Sequence, residues 1–288
     1  MILSMTGYAA VSADSPRGRL SLELRSVNAR FLDIQFRIAE ELRTLEPLLR
    51  ELILARVMRG KVDCRLYFAE ASVAQKPQQL NLEAVSRLKA LADDAAKVFP
   101  QAAPMRIADI LRWPGVIAEA EADDERMRVT IGELCQRALD ELLAARTREG
   151  AKLAASIRER VATMRQRMEE IAPLVPQSVA AYQAKIAERL REAIGSGQEE
   201  RIRAETALFA AKVDIEEEME RLRAHFGEVE RTLGKGGAVG KRLDFLAQEL
   251  NREANTLASK AAGAAISDCA LELKLLVEQI REQAQNIE

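Results

Sequence analysis

The most informative pattern of apolar and polar positions lies between Gly240 and Lys260. Apolar residues recur there at alternating steps of three and four, the spacing that gathers them on one face of an α-helix. One flanking row consists of Arg242, Glu249, Glu253, Thr256 and Lys260. The other consists of Asp244, Gln248, Asn251 and Asn255. Polar rows beside the apolar face, rather than opposite it, predict a helix whose side chains point into a cleft.

The segment before this helix carries another polar row. Asp214, Glu218, Arg221 and His225 follow one another at one-turn steps beside an apolar stripe. Two carboxylates one turn apart can hold a hard divalent cation, and a histidine can act as a general acid or base near neutral pH. The alternative is a set of ordinary surface ion pairs within one helix. Spacing alone favours that alternative.

The first 71 residues predict strands around one helix. Alternation with period two predicts strands at residues 20–25 and 31–38. Residues 62–68 are interpreted as a further strand, and residues 4–11 are the candidate for an opening strand. Helical spacing from Leu42 to Met58, followed by Gly60, predicts a helix before the last strand. We therefore expect a small antiparallel sheet with a helix on one face.

The rest of the chain is predominantly helical. Spacing and stop signals predict helices at residues 82–98, 107–112, 123–171, 177–194, 198–233 and 240–260 and from 267 onward. The predicted fold class is α+β: a small antiparallel sheet with a helix at the N-terminus, then a predominantly α-helical C-terminal part with long helices. We divide it into an N-terminal α+β domain (1–120), a long helical connector (121–200) and a C-terminal helical domain (201–288).

Composition agrees with a helical protein, because apolar residues reach 48% while aromatic residues make up only 4%. The formal net charge of −2 does not indicate a nucleic-acid binder, so any such role requires a locally basic face. The three cysteines show no CxxC spacing, which favours buried thiols in a reducing compartment. Neither a signal peptide nor a long apolar run is visible, so we expect a cytoplasmic protein without a membrane segment.

Carboxylates and cations beside the apolar face of the 240–260 helix suit a phosphodiester hydrolase. Carboxylates can hold a metal or activate water, and cations stabilise the charge that develops on phosphorus oxygens. A helix-bundle interface tied by amides and ion pairs explains the same residues equally well. The N-terminal sheet adds basic residues that suit phosphates, against the alternative of a solvated mixed face.

Five segments of the chain together resemble the bacterial YicC/YloC family. They are residues 4–8 (SMTGY), 26–33 (SVNARFLD), 59–62 (RGKV), 240–261 (GKRLDFLAQELNREANTLASKA) and 272–288 (ELKLLVEQIREQAQNIE). The resemblance implies a metal-dependent endoribonuclease acting on single-stranded or small regulatory RNA. It also implies a ring-like homohexamer with a basic channel around the RNA. Ala9 and Ala29 depart from the family pattern, which commonly has glycine and histidine there.

Spacing and resemblance together lead to our assignment of site residues. The predicted catalytic residues are His225, Glu249 and Glu253, and the predicted ligands of Mg²⁺ or Mn²⁺ are Asp214 and Glu218. The predicted RNA-binding residues are Arg25, Asn28, Arg30, Lys61, Lys241, Arg242, Arg252 and Lys260. The expected partners are RNA, further copies of the chain and other RNA-decay enzymes. The competing hypothesis is a non-catalytic helical RNA-binding oligomer, or an adaptor that recruits another ribonuclease.

Overall fold

A mixed β-sheet forms the N-terminal part of the protein. The computed structural model describes residues 1–15, 17–71, 79–101, 103–118, 124–194 and 199–288, and within them four strands form this sheet. They are β1 (Gly7–Ser15), β2 (Gly18–Val27), β3 (Asp33–Ile38) and β4 (Lys61–Ala71), in the order β1-β2-β4-β3. The predicted α+β class is confirmed.

The prediction of an antiparallel sheet is wrong at one edge. β1, β2 and β4 pair antiparallel, but β3 runs parallel to β4. A 3-10 turn (Glu40–Leu45) and helix α1 (Glu46–Arg56) connect these two strands. A helical crossover of this kind allows parallel pairing, which a tight hairpin does not. Alternation along a strand cannot distinguish the two arrangements.

Helices make up most of the remaining chain. They are α2 (Leu82–Val98), α3 (Ile107–Arg112), α4 (Asp124–Ile171), α5 (Leu174–Ile194), α6 (Glu199–Lys212), α7 (Glu216–Lys235), α8 (Gly240–Lys260) and α9 (Ala264–Ala284). Short strands β5 (Gln79–Leu80) and β6 (Ile117–Ala118) pair with each other on either side of α2 and α3. None of the helices in the described ranges is both long and apolar enough to cross a membrane.

Helix α4 contributes to two hydrophobic cores. Its first half, from Met127 to Leu142, packs with the sheet and α1. Its second half, from Leu153 to Ile171, packs with α7, α8 and α9. At 48 residues the helix is about 70 Å long, so a single rigid element joins the sheet to the helical bundle.

The predicted helix over residues 198–233 is wrong, because the chain breaks between α6 and α7. Asp214 lies in the break, and its Oδ1 accepts a hydrogen bond from the backbone N–H of Glu216 at 3.0 Å. This local turn competes with helix continuation and starts a new helix. Asp214 therefore lies outside the helix that carries Glu218.

Other boundaries also differ from prediction, three of them for a clear local reason. Helix α9 begins three residues before Ser267, because Ala264 and Ala265 are strong helix formers. Helix α5 begins before Pro176, since proline is tolerated in a first helical turn. The predicted first strand begins only at Gly7, while Ser4 forms an isolated bridge with Ile287. Asp123, the expected start of the longest helix, lies outside the described residues.

The cysteines are free and buried, as predicted. Cys64 on β4 and Cys135 on α4 share the core beneath the sheet. Burial raises the pKa of Cys135 to about 12 and raises the pKa of Cys64 further, helped there by the nearby Cys135 thiol and Asp63. Burial also raises the pKa of Cys269 to about 11.

The two sheet-core thiols should make stability fall in alkali. The unfolded chain loses these protons from about pH 8.5, whereas the folded protein keeps them to about pH 12 at Cys135. Unfolding therefore releases protons, and the free energy of unfolding should fall by up to about 1.4 kcal/mol per pH unit and thiol above about pH 9. Urea unfolding at pH 8 and pH 10.5 measures this slope. The Cys64→Ala/Cys135→Ala variant should show a shallower slope, and an unchanged slope would contradict the assignment.

Candidate functional site

Ion pairs between α7 and α8 bring the two predicted polar rows together. Lys260 Nζ lies 2.9 Å from Glu218 Oε1, and Arg221 Nη1 lies 3.5 Å from Glu253 Oε1. Arg242 Nη2 lies 3.4 Å from Glu228 Oε1. The order of these pairs shows that the helices run antiparallel. We call this interface the α7–α8 seam.

Two carboxylates of the seam are buried. The side chains of Glu218 and Glu253 are only 8% and 5% exposed. Glu218 Oε2 is fully buried and has no hydrogen-bond partner among the described residues. A buried carboxylate is costly unless a cation accompanies it. Lys260 and Arg221 therefore have a structural role in the helix packing.

His225 and Glu249 occupy the middle of the same seam. Because Arg221 meets Glu253 and Glu228 meets Arg242, the antiparallel register places His225 at about the level of Glu249. Both residues are half-buried. In the described part of the chain, neither side chain has a hydrogen-bond or ion-pair partner. His225 and Glu249 are thus the predicted catalytic residues whose polar groups remain available to bind a ligand.

The two predicted metal ligands differ in their surroundings. Asp214 is exposed and holds the N-terminal turn of α7, while Glu218 is buried one turn inside the helix and paired with Lys260. No group of three or more His, Cys, Asp or Glu side chains in the described ranges is arranged to hold a metal. Mg²⁺ is often bound by only one or two carboxylates together with waters and substrate phosphates. Asp214 and Glu218 suit Mg²⁺ only in that form.

The first residues of the chain run between α4 and the end of α9. The backbone N–H of Ser4 donates to Arg146 O at 2.9 Å, and that of Met5 donates to Asn286 O at 2.8 Å. The Arg146 side chain is fully buried, with Nε donating to Ser4 O at 2.6 Å and Nη2 lying 2.5 Å from Glu288 Oε2. We call the meeting of residues 1–7, 146–150, 236–240 and 284–288 the central junction.

Backbone segments approach each other so closely at the central junction that two positions there require glycine. A Cβ at Gly150 would collide with the backbone of Ile2, and a Cβ at Gly240 would collide with the carbonyl oxygen of Ile287. Both positions lie on helices, where glycine otherwise lowers stability. These glycines let other segments pack directly against α4 and α8.

A polar pocket of about 240 Å³ opens beside the central junction. We call it the junction pocket, and its lining residues are Met5, Asn28, Arg59, Gly240, Lys241, Asp244, Arg281, Ala284, Gln285 and Ile287. Asn28 Nδ2 donates to Gln285 O at 2.7 Å and so links the sheet to the end of α9. The segments that carry the family resemblance thus converge on one cleft.

The junction pocket contains both predicted and missed residues. Asn28 and Lys241 are among the predicted RNA-binding residues, whereas Arg59, Asp244 and Arg281 are not among the predicted site residues. The signal for Arg59 and Arg281 was their position within the resembling segments 59–62 and 272–288. Helical periodicity could not find them, because they lie on elements far apart in sequence.

The other predicted RNA-binding residues are dispersed. Arg25 is exposed on β2 opposite Asp63, Arg30 lies over the Phe31 ring, and Lys61 opens β4. Arg242 pairs with Glu228 and lies over the Phe245 ring. Arg252 is exposed on α8, while Lys260 lies about 28 Å along that helix from Lys241. Only Asn28 and Lys241 of this set line the junction pocket.

Fold and site together define an α+β protein in which a helical bundle and a small sheet meet at a cation-lined pocket. The chain belongs to the YicC-like endoribonuclease family. The family model described as Endoribonuclease YicC-like, N-terminal region matches residues 2–155, and the model described as Endoribonuclease YicC-like, C-terminal matches residues 171–288.

Two relatives match the chain over its whole length. A protein from Haemophilus influenzae named Probable endoribonuclease YicC is 35% identical, with all of both chains covered. A protein from Clostridioides difficile with the same name is 30% identical, again with all of both chains covered. The resemblance to the YicC/YloC family is therefore confirmed.

Lys260 should contribute to stability through Glu218. Replacing it by methionine leaves a buried carboxylate without its cation, which should cost about 2 kcal/mol, below the 3–5 kcal/mol of a fully buried pair because Lys260 is partly exposed. The double variant Lys260→Met/Glu218→Gln should recover most of this loss. Urea unfolding measures the cycle. Additive losses in the double variant would show that the pair is not coupled.

Gly150 should tolerate alanine poorly although it lies within a helix. Gly150→Ala should lower the free energy of unfolding by about 1–3 kcal/mol, because the new methyl group meets the Ile2 backbone. Gly132 on the same helix is a matched control with open space around it. Gly132→Ala should instead raise stability by up to about 1 kcal/mol. Equal effects in thermal unfolding would contradict this account of the central junction.

Proposed function

We propose that this protein is an endoribonuclease that cleaves single-stranded or small regulatory RNA. The observation that carries the proposal is the full-length match to two relatives that are both named Probable endoribonuclease YicC. The family models match both the sheet-containing part and the helical part of the chain. The proposed site is the α7–α8 seam, with phosphate-binding residues at and around the central junction.

His225 and Glu249 are the residues we propose for proton transfer. Cleavage of a phosphodiester requires a proton to leave the attacking oxygen and another to reach the departing oxygen. An imidazole can do either near neutral pH, and a carboxylate can act as the base. Their half-buried, unpaired state in the described structure supports this role. The Glu253 carboxylate is already paired with Arg221. Glu253 would therefore have a positioning role, holding Arg221 in the seam.

A divalent cation, Mg²⁺ or Mn²⁺, is part of the proposal. When bound, it would polarise a phosphoryl oxygen of the RNA. Of the predicted seam carboxylates only Glu249 is not already paired with a residue that the structure describes, because Glu218 and Glu253 are buried against cations. With the cation bound, Glu249 would hold it and His225 would carry the proton transfer. Asp214, which the sequence also predicts as a metal ligand, would contribute only from outside the α7 helix. Loss of cleavage in EDTA and its return with Mg²⁺ or Mn²⁺ would support metal dependence.

The proposed RNA path follows the predicted RNA-binding residues, most of which lie outside the seam. Arg25, Asn28, Arg30, Lys61, Lys241, Arg242 and Arg252 would contact phosphates, which position RNA without reading its sequence. Lys260 would contribute less, because Glu218 already engages its ammonium group. We place the protein in the cytoplasm, where RNA and other RNA-decay enzymes are available as partners.

Assembly into a homo-oligomer, with a hexamer as the expected state, is also proposed. The α2–α3 region exposes large apolar side chains, including Leu91 at 62%, Phe99 at 66% and Trp113 at 49%. They border an apolar cleft of about 760 Å³. Contiguous exposed apolar surface is typical of protein interfaces. A second copy of the chain is the occupant that the family resemblance favours.

The adaptor hypothesis has one observation in its favour. Two of the carboxylates predicted for chemistry, Glu218 and Glu253, are engaged in packing, as in a helical scaffold. Under that hypothesis the purified protein would bind labelled RNA without cutting it. Full-length similarity to two proteins named as endoribonucleases makes the enzyme the better-supported proposal.

Replacing either His225 or Glu249 should slow cleavage strongly. Glu249→Gln and His225→Ala should each reduce the cleavage rate of labelled RNA by about 100-fold or more, the usual contribution of a general acid or base. Glu220→Gln is the matched control, since Glu220 is exposed on α7. RNA binding should persist in all three variants. Wild-type rates for both seam variants would refute the assignment.

A charge in the apolar cleft should break the assembly. Leu91→Asp should reduce the molar mass in size-exclusion chromatography with light scattering, because burying an unpaired carboxylate in an interface is costly. Leu54→Asp, at an exposed leucine on α1, is the control and should leave the mass unchanged. A wild-type mass for Leu91→Asp would exclude the α2–α3 region as the interface.

A further inference from the structure

The junction pocket combines charges from separate parts of the fold. Arg59 precedes β4, Lys241 lies in the first turn of α8, and Arg281 lies in the last turn of α9. Asp244 supplies a carboxylate to the same lining. The described lining therefore carries an excess of positive charge, although the whole chain is slightly acidic. Such a local excess favours an anionic ligand.

Two of these cations have donors to spare. Arg281 Nε is fully buried and lacks a hydrogen-bond partner among the described residues. It lies 3.5 Å from Asp244 Oδ1, which is close enough for Coulombic attraction but does not satisfy the N–H. Lys241 has no partner in the described ranges. The rest of the Arg281 side chain is accessible, with 41% of its surface exposed, and its other ion pair joins Nη1 to Glu278 Oε2 at 3.7 Å. The guanidinium Nη groups and the Lys241 ammonium therefore keep N–H groups available to a phosphate oxygen.

Size restricts the ligand to a small group. At about 240 Å³ the pocket is smaller than the roughly 300–1,000 Å³ typical of sites for whole small molecules. A phosphate group with part of its sugar fits this volume better than a complete nucleotide does. The helix N-terminus itself is not the anion site, because Glu288 O accepts the backbone N–H groups of Val239 and Gly240.

The pocket also stands at a fixed distance from the seam. Lys241 and Glu249 lie on the same helix, eight residues and therefore about 12 Å apart along its axis. A rigid helix keeps that separation constant. A phosphate held at Lys241 would thus fix the position of the strand relative to His225 and Glu249.

We propose that the junction pocket binds one phosphate group of the RNA through Lys241, Arg281 and Arg59, and that this contact sets where the strand lies on the α7–α8 seam. The proposal rests on the proposed function in that the phosphate belongs to RNA. Asp244 opposes phosphate binding, because the Asp244 carboxylate competes with the phosphate for Arg281. Binding and cleavage are separate properties, so each can be tested alone.

The test is binding of a labelled 2′-O-methyl RNA to the full-length protein in EDTA, so that neither a 2′-hydroxyl nor a divalent cation is available for cleavage. Lys241→Gln and Arg281→Gln should each weaken binding about tenfold and lower the dependence of log affinity on log salt by about one. Lys241→Arg should largely retain affinity. Lys152→Gln removes an exposed charge elsewhere on α4 and should leave binding unchanged.

The decisive variant is Asp244→Asn, which should strengthen binding about threefold or more, because it removes the closer of the two described carboxylates paired with Arg281 and leaves only Glu278 at 3.7 Å. A purely structural role for these residues predicts loss of affinity in all of them, and that result would overturn the proposal. Unchanged affinity in Lys241→Gln and Arg281→Gln would overturn it as well.

The probe is prepared with a 5′-phosphate and with a 5′-hydroxyl. If the effects of Lys241→Gln and Arg281→Gln vanish with the 5′-hydroxyl probe, the bound group is the terminal phosphate. If they persist, it is an internal phosphodiester, and both results support the pocket. Absence of RNA cleavage by the wild-type protein, with this binding pattern intact, would reject the endoribonuclease and keep the phosphate site.

Discussion

The buried guanidinium of Arg146 is the interaction on which the arrangement of the two parts depends. It lies at the midpoint of α4, between the core under the sheet and the core of the helical bundle. There it donates to Ser4 O and pairs with Glu288, so a single side chain holds both the first and the last described segments of the protein. A buried cation is stable only when such partners are present. The junction pocket exists because these segments are held against the starts of β4 and α8.

In the α7–α8 seam, some polar residues stabilise the helix packing and others remain available for chemistry. Pairs at Glu218 and Glu253 neutralise buried carboxylates and hold the helices in register. That register leaves His225 and Glu249 half-buried between them and without partners in the described structure. Burial strengthens electrostatic interactions, because the effective dielectric constant is lower than in water. The residues best suited to chemistry are therefore those that packing does not already use.

The proposed binding of RNA relies on charge distribution rather than on net charge. The chain carries a formal charge of −2, yet cations from three elements meet at the junction pocket. Acidic residues are instead distributed along the helices, where many pair with arginines one turn away or on a neighbouring helix. A locally basic site on a nearly neutral protein favours salt-sensitive contacts with phosphates while limiting nonspecific attraction.

The sequence by itself determined most helices, the strands of the sheet and the family, because periodicity and linear segments are local properties. The row of acids and His225 was visible in the same way. Tertiary structure decided the rest. The parallel edge strand depends on a crossover, and the break at Asp214 depends on a side chain that competes with the helix. Arg59, Lys241 and Arg281 meet only because residues 1–7 and 284–288 pack against α4, and no periodicity links positions so far apart in the chain. Whether a carboxylate is free or committed to a cation is likewise set by the helix opposite, which is why Glu249 and Glu253 look alike in sequence and differ in the fold.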